Sequence, residues 1–557
     1  MAAALAVAAF GVLAFAAGPA NAGTGGVAPL RPHVVPVVSD ISAPLRQMAM
    51  MAPTQTGGPS LAKAERGRGP VGNRKHTRDG ALQGGSAFAP NAMPSPLFTF
   101  EGPNQEHNFT TQGRRVNPPD PVGDVGMHHY VAMVNLTFAI YSKTGDLVFG
   151  PAAIGSLWQD FPVPDCARGN GDPVVIYDEI SNRWILTQFT TQGPEFWNCI
   201  AVSRDSDPLG SYARYAFSTD DFFPDYPKYG LMPDGLYITT REFGPLETDY
   251  RIGVYGIDRD ALVSGRPDPT VVAFYLVDGV DPLYRLGDGL LPADLDGRKH
   301  PPPQSPEYFA GTMDAGASYG APRDAINWFG SNIDFNHPEN STFGLIAELP
   351  TAPFDSIYPC SPGSRDCLEQ PGITDRLQYL DILSYRQRPT YRLQYRNFGK
   401  YESLVTNQSV EARPNQAGMR WYEIRNPQDP VIHQQGTYAP NDGIHRWMGS
   451  VAQDKDGNLA LGFSVVNGTN VFPGIRYAGR LADDPLGQLP QGEAVLQAGS
   501  GVQLTTNSRW GDYTSLNVDP KDDCTFYYIN EYYTLASQQT SLAGWLTRIG
   551  AFKFPGC

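Results

Sequence analysis

"RWGDYTSLNVDPKDDCTFYYINEY" spans Arg509–Tyr532, and "RWMGSVAQDKDGNLALGFSV" spans Arg446–Val465. Both open on Arg-Trp, pass through a short alternating stretch, reach an Asp-centred polar turn and leave through a second apolar stretch. Alternation of apolar and polar residues on both sides of an Asp/Gly/Asn turn is the pattern of a β-hairpin. The two copies begin 63 residues apart, so the chain repeats a unit larger than one hairpin.

Further copies lie upstream. "PVGDVGMHHYVAMVNLTFAIYSKTGDLVFG" begins at Pro121, "GDPVVIYDEISNRWILTQF" at Gly171 and "YPKYGLMPDGLYITTREF" at Tyr226. "LLPADLDG", completed by "EYFAGTMD", begins at Leu290, and "YESLVTNQSV" begins at Tyr401. Outer segments also match, since "CIAVSRDSDPLGSYARYAF" and "GIRYAGRLADDPLGQL" share Asp-Pro-Leu-Gly. Seven units over roughly 115–557 average about 63 residues, which predicts an all-β, seven-bladed β-propeller with four-stranded antiparallel blades. The span 290–401 is too long for one unit and holds an insertion or an eighth.

Composition agrees. The chain has 557 residues with 59 Gly, 50 Pro, 28 Tyr and 27 Phe, a mixture of turn formers and aromatic strand formers. The segments "WGDY", "DCTFYYINEY", "GDPVVIYDEISNRW", "DYPKYGLMPDGLY", "LLPADLDG" and "HRWMGS" resemble those of a group of secreted bacterial β-propeller-like proteins, over about residues 115–557. That resemblance implies the fold and export, and it implies no reaction.

"MAAALAVAAFGVLAFAAGPANAG" reads as a signal peptide, residues 1–22, ending in Ala-Asn-Ala. Residues 23–98 are rich in Gly, Pro and Ala without hydrophobic periodicity and are expected to be a disordered linker or pro-segment. The propeller domain is expected over 99–557. Gly18-Pro19 breaks the leading apolar run too early for a membrane span, so secretion without stable membrane insertion is expected.

Six cysteines suit an oxidising compartment: Cys166, Cys199, Cys360, Cys367, Cys524 and Cys557. Sequence-local pairing joins them in that order, although six cysteines allow about 15 connectivities. Net charge is −15. Residues 23–85 alone carry +5, which leaves an acidic body and argues against nucleic acid as a partner. Five N-x-S/T sequons, at Asn108, Asn135, Asn340, Asn407 and Asn467, matter only in a glycosylating host.

In a propeller the innermost strands line a central channel, so polar residues that begin each unit converge. Asp124, Asp172, Glu402 and Asp512 are the candidate catalytic carboxylates. Tyr226, Lys228, His445, Arg446, Trp447, Arg509 and Trp510 are the candidate ligand-binding residues, with arginines for anions and tryptophans to stack on sugar rings. Asp120, Asp225 and Asp294 belong to the same set. The bland reading is that these aspartates cap turns and the tryptophans fill space between blades.

No HExxH, phosphate loop or GxSxG is present, nor is the S-x-D-x-G-x-T-W box of secreted sialidase propellers. "DKDGN" (454–458) lacks the later ligands of a calcium loop and reads as a hairpin turn. No cofactor is expected, with structural calcium the one ion left open. Two function classes fit. One is a monomeric carbohydrate-active enzyme, a glycoside hydrolase or polysaccharide lyase using channel carboxylates. The other is a non-catalytic extracellular propeller that binds glycan or protein.

Overall fold

The computed structural model describes residues 30–48, 61–62, 77–84, 93–168, 171–246, 248–315, 320–356, 366–382 and 388–557. The expected signal peptide and Cys360 lie outside them. The described chain is dominated by short strands, most of them in four-stranded antiparallel units named I to VII below in chain order, beside two small two-stranded ladders.

Sheet I comprises Val122–Val125, His129–Val134, Thr137–Ser142 and Leu147–Ala153. Sheet II comprises Val175–Asp178, Arg183–Phe189, Trp197–Ser203 and Tyr212–Ser218. Sheet III is built from Phe223–Leu231, Gly235–Phe243, Tyr250–Asp258 and Val271–Val277. Sheet IV has Leu291–Leu295, Glu307–Met313, Ala325–Asn332 and Thr342–Pro350, and sheet V has Thr390–Asn397, Glu402–Arg413, Gln416–Arg425 and Val431–Tyr438. Sheet VI has His445–Gln453, Leu459–Val466, Gly474–Arg480 and Glu493–Gln497. Sheet VII has Ser515–Val518, Phe526–Tyr532 and Leu546–Phe552, and its fourth strand is Phe98–Glu101 from the start of the domain.

The first strands of successive sheets lie against one another in the order I to VII, and that of VII lies against that of I. Those first strands are buried along almost their whole length, whereas outermost strands such as Leu147–Ala153 and Thr342–Pro350 are partly exposed. Apolar cores fill the spaces between neighbouring sheets. Phe100, Tyr130, Tyr527 and Ile549 pack between VII and I, while Val405, Trp421, Val451 and Phe463 pack between V and VI. The first strands are buried and nevertheless carry polar residues, such as Asp124, Asp225, Lys228, Asp294 and Arg392, and buried polar groups must find partners.

Three expectations need correction. The segment 23–98 is not devoid of structure. Val37–Ile41 adds a fifth strand to the outer edge of sheet II, pairing Ala213↔Ile41 through Phe217↔Val37, and His33–Val34 adds one to sheet III. Arg214 fastens the first of these by donating from Nε and Nη2 to Asp40 at 2.7 and 2.5 Å. The outer edge strands of II and III offer unpaired N–H and C=O groups, and a polar, β-compatible segment pairs with them without needing periodicity of its own.

The fifth unit begins at Thr390, not at Tyr401, and residues 351–389 form the insertion, with a small ladder between Asp366–Leu368 and Leu380–Asp381. The two Arg-Trp copies lead into the first strands of adjacent sheets VI and VII, but with unequal lead lengths. Arg446 lies within His445–Gln453, whereas Arg509 precedes Ser515–Val518 by six residues. The structural correspondence is Ser450 with Ser515.

Cys166 is bonded to Cys199 and Cys524 to Cys557, and Cys367 is also disulfide-bonded. Among the described residues no helix is long and apolar enough to cross a membrane. Of the five sequon asparagines, Asn108, Asn135, Asn407 and Asn467 are buried and Asn340 is exposed in the turn Pro338–Asn340. Asn108 donates to Asn135 O and Thr137 Oγ1 at 2.9 and 2.8 Å, so a glycan there is incompatible with folding. Folded protein secreted from a glycosylating host is expected to carry glycan at Asn340 alone. Peptide mapping that finds occupied Asn108 or Asn407 in folded protein contradicts this packing.

Candidate functional site

Each sheet's first strand has an inner edge with no neighbour inside its own sheet, and buried N–H groups along it need acceptors. The next sheet supplies them. Asp124 Oδ2 on sheet I accepts from Tyr177 N on sheet II at 2.7 Å, and Asp172 Oδ2 accepts from Tyr226 N on sheet III at 3.2 Å. Asp294 Oδ1 on sheet IV accepts from Leu231 N of sheet III at 3.0 Å. Sheets IV and V pair directly, as parallel strands with Ala293↔Leu393 through Leu295↔Tyr395. Gln394 Oε1 accepts from Gln453 N at 2.6 Å, and Ser450 Oγ accepts from Leu516 N at 3.1 Å.

The ring closes between VII and I. Ser515 Oγ accepts from Gly123 N and donates to Gly123 O, both at 2.8 Å, and Asp120 Oδ1 accepts from Asp512 N at 2.7 Å. The polar residues that begin the units therefore have a structural task before any chemistry. Aspartate, glutamine and serine oxygens do it, each within hydrogen-bond reach of a backbone N–H on the neighbouring sheet.

At the leading ends of the first strands the backbone turns left-handed just before a proline. Asp120, Asp172 and Tyr226 have φ of 45°, 45° and 53°. Aspartate tolerates that region, but for a tyrosine it is strained, on the order of 1 kcal/mol or more. Tyr226 lies within a buried cluster. The Lys228 Nζ lies 3.4 Å from the Tyr226 ring centroid and 3.9 Å from that of Tyr513. The Arg388 guanidinium stacks on Tyr226 at 3.5 Å, and its Nη2 is 3.5 Å from Asp512 Oδ2.

Tyr226 and Tyr391 flank Tyr513, with ring centroids 6.0 and 6.4 Å away. Arg241 stands beside them, its Nη1 3.1 Å from Asp225 Oδ2 and its Nη2 2.7 Å from Asp288 Oδ1. Burial pushes the Tyr226 phenol up to about 12, with Arg388 opposing and Asp512 reinforcing, so the group is neutral at physiological pH. The hydroxyls of Tyr226 and Tyr391 and both Nη atoms of Arg388 have no hydrogen-bond partner within the protein, although all three side chains are at least nine-tenths buried.

Of the sequence-derived candidates, the structure gathers Asp172, Tyr226, Lys228 and Asp512 in this cluster. Asp124 lies on the first strand of sheet I, where burial raises its carboxyl well above the ordinary range against the pull of Arg392. Glu402 is elsewhere, at the start of sheet V's second strand, accepting from Tyr395 Oη at 2.6 Å. His445 is held by Ala417 N at 3.2 Å and Glu369 Oε2 at 3.0 Å.

Arg446 points along its own sheet, paired with Asp442 at 2.8 Å and Glu493 at 2.9 Å. Trp447 and Trp510 are buried against each other, centroids 5.1 Å apart, with Trp510 Nε1 donating to Ser464 Oγ at 3.1 Å. Neither offers a face for stacking on a sugar. Arg509 reaches Asp512 Oδ1 at 3.1 Å and thereby borders the cluster.

Sequence reasoning missed Arg388, Tyr391, Tyr513 and Arg392. The run Tyr391, Leu393, Tyr395 alternating with Arg392, Gln394, Arg396 is a period-2 strand signal, and it was available. For metal, the one His/Cys/Asp/Glu group among the described residues is Asp456 with Cys524 and Cys557, and its sulfurs are tied up in their disulfide. In "DKDGN", Asp454 accepts from Asp456 N and Asn458 N at 2.9 and 3.0 Å, a closed hairpin turn between two strands of sheet VI.

No family model and no curated protein matches the chain. Similar solved structures include the Penicillium chrysogenum α-L-arabinanase complexed with arabinobiose, at 11% identity over 60% of this chain and 96% of that one, with a TM-score of 0.29. A protein of unknown function from Dyadobacter fermentans matches at 11% identity over 69% of this chain and 94% of that one, TM-score 0.30. A GH43 endo-arabinanase from Bacillus licheniformis matches at 11% over 55% and 92%, TM-score 0.24.

Proposed function

We propose that the protein is an exported, monomeric, seven-bladed β-propeller that acts on polysaccharide at the mouth of its central channel, as a glycoside hydrolase or polysaccharide lyase. The observation that carries this reading is the buried cluster in which the Arg388 guanidinium lies on the Tyr226 ring and reaches the Asp512 carboxylate. Tyr226 is kept protonated by burial, and Asp512 close by stands between Arg388 and Arg509. In this reading the Tyr226 hydroxyl is the proton donor and the Asp512 carboxylate the acceptor. Asp172 supports the site from its bond to Tyr226 N, which fixes the strained tyrosine in place.

A non-catalytic binding propeller is the second reading, and a specific observation favours it. Asp120, Asp124 and Asp172 each accept a backbone or amide N–H from a neighbouring element, so most of the channel aspartates are already engaged in joining sheets.

A panel of polysaccharides assayed for new reducing ends and for unsaturated products separates the two. On the substrate found, Tyr226→Phe and Asp512→Asn are each expected to lower kcat by about a hundredfold or more, the range of a lost general acid or base. Tyr226→Phe deletes one oxygen that bonds nothing in the protein, so its thermal midpoint should stay near that of the parent. Full activity in both variants rules out this assignment, and ligand binding without any turnover establishes the second reading.

A further inference from the structure

The insertion 351–389 is fixed at both ends and lightly attached between them. At its start Phe354 N donates to Asp324 Oδ2 at 3.0 Å, and Ser356 N and Oγ donate to Asp314 Oδ2 at 2.7 and 2.6 Å. At its end the chain enters the first strand of sheet V at Thr390. The piece between, residues 366–382, holds the ladder of Asp366–Leu368 with Leu380–Asp381, and that ladder pairs with no strand of the ring. Among the described residues, its backbone bond to the body is Asp381 N to Ser508 O at 2.8 Å. The other polar ties run through side chains. Gln370 accepts from Gln503 N at 2.8 Å and donates to Gln503 O at 2.9 Å, and Gln378 Nε2 donates to Leu504 O at 2.8 Å. His445 Nδ1 accepts from Ala417 N, so its Nε2 carries the hydrogen donated to Glu369 Oε2 at 3.0 Å.

Beneath this piece lies an aromatic floor. Leu368, Leu380 and Ile382 join one buried apolar cluster with Trp447, Trp510 and Tyr533. Trp447 lies at the start of sheet VI's first strand, Trp510 just ahead of that of sheet VII, and Tyr533 just past the end of sheet VII's second strand. The piece therefore rests on the face of the ring where the first strands begin. Two features of this covered state are unfavourable. Trp447 Nε1 is buried with no hydrogen-bond partner in the protein, which leaves a donor cut off from water and unmatched. Ser508 has φ of 58°, a strained conformation for serine, and it meets the piece through both its O and its Oγ, the latter donating to Leu377 O at 3.2 Å.

We propose that residues 366–382 are a lid that lifts as one piece from this face, uncovering Trp447 and Trp510 and freeing the segment 508–512 that carries Asp512. Lifting breaks one backbone bond and a few side-chain bonds, leaves the seven sheets paired and hydrates the Trp447 indole N–H. A unit attached in this way opens at a free energy well below that of global unfolding. The lid does not depend on the glycan reading, and no ligand enters its test.

Native-state hydrogen exchange on the full chain reads the lifting directly. The Asp381 amide is expected to exchange at least about a hundredfold faster than those of Leu461 and Tyr528, which lie in strands paired on both sides within sheets VI and VII. Gln370→Ala removes the amide pairing with Gln503. Hydroxyl-radical footprinting should then find Trp447 and Trp510 oxidised about fivefold faster, with Trp184 and Trp421 in other cores unchanged. Because Gln370 is buried, the half-exposed Glu369 supplies the second variant, and Glu369→Gln should raise the same two positions about twofold. An Asp381 amide that exchanges no faster than Leu461 overturns the lid. So do Trp447 and Trp510 that stay at the parent rate in both variants, or that rise only together with Trp184 and Trp421.

Discussion

Replacing Arg392 by methionine is expected to lower the stability of the fold by about 3–5 kcal/mol at pH 7, the cost of removing one partner from a buried ion group. Arg392 sits on the first strand of sheet V, essentially without solvent contact. It donates from Nε to Asp294 Oδ2 at 2.8 Å and from Nη1 to Asp296 Oδ2 at 3.0 Å, and Nη2 also bonds Asp296. Gln394 Nε2 completes Asp296 at 2.6 Å, and Asp294 carries Leu231 N. One guanidinium thus holds the junction of sheets III, IV and V, and methionine would leave two buried carboxylates without their counter-charge.

The pH dependence follows from the two carboxyls. Burial would raise Asp296, but the charge and hydrogen bonds of Arg392 outweigh it and hold it below the ordinary range. Its contribution is therefore present above the unfolded value of about 3.9 and lost as pH falls below that. Asp294 is raised to about 6, chiefly by burial against the pull of Arg392. A raised folded value works in the opposite sense, its contribution being complete below about 3.9 and lost as pH rises through 6. Without Arg392 both carboxyls rise, so the variant's deficit should shrink from pH 7 toward pH 5 as they take up protons. Urea midpoints at the two pH values check this. A variant as stable as the parent at pH 7, or one whose deficit grows on acidification, contradicts the assigned role.

The second large effect concerns the closing sheet. Removing the Cys524–Cys557 bond in the double variant Cys524→Ser/Cys557→Ser is expected to cost about 3–4 kcal/mol. The bond spans 33 residues, and loop closure of that length removes roughly this much chain entropy from the unfolded state. The sheet pairing is already made without it, since Phe526–Tyr532 and Leu546–Phe552 are hydrogen-bonded from Phe526↔Phe552 to Tyr532↔Leu546. The loss should therefore appear in the denaturation midpoint with little change in the native circular dichroism. An unchanged midpoint in the double variant refutes the estimate.

Much of the architecture can be read in the chain itself. The Arg446 and Arg509 segments, with "GDPVVIYDEISNRW" and its relatives, specify hairpins because period-2 alternation and Asp/Gly turns act over a few residues. The pairing of Cys524 with Cys557 follows the sequence-local order, but it spans 33 residues and the chain alone leaves other pairings open. The fifth unit was misplaced at Tyr401 because a 39-residue insertion separates sheets IV and V, and the strand Thr390–Asn397 that follows carries arginines where a core strand is usually apolar.

What the residues do was decided only by the ring. Sequence marks Asp120, Asp124, Asp172 and Asp512 as alike. In the folded chain the first three accept N–H groups across sheet junctions, and the fourth stands between two guanidiniums. Trp447 and Trp510, which sequence alone offers as stacking platforms, are sealed against each other. Arg388 and Tyr226 meet although 162 residues separate them along the chain. Local pattern sets which backbone pairs with which, because hydrogen-bond registers are short-range. Which side chains share a site depends on how the sheets close on one another, and that closure is a property of the whole chain.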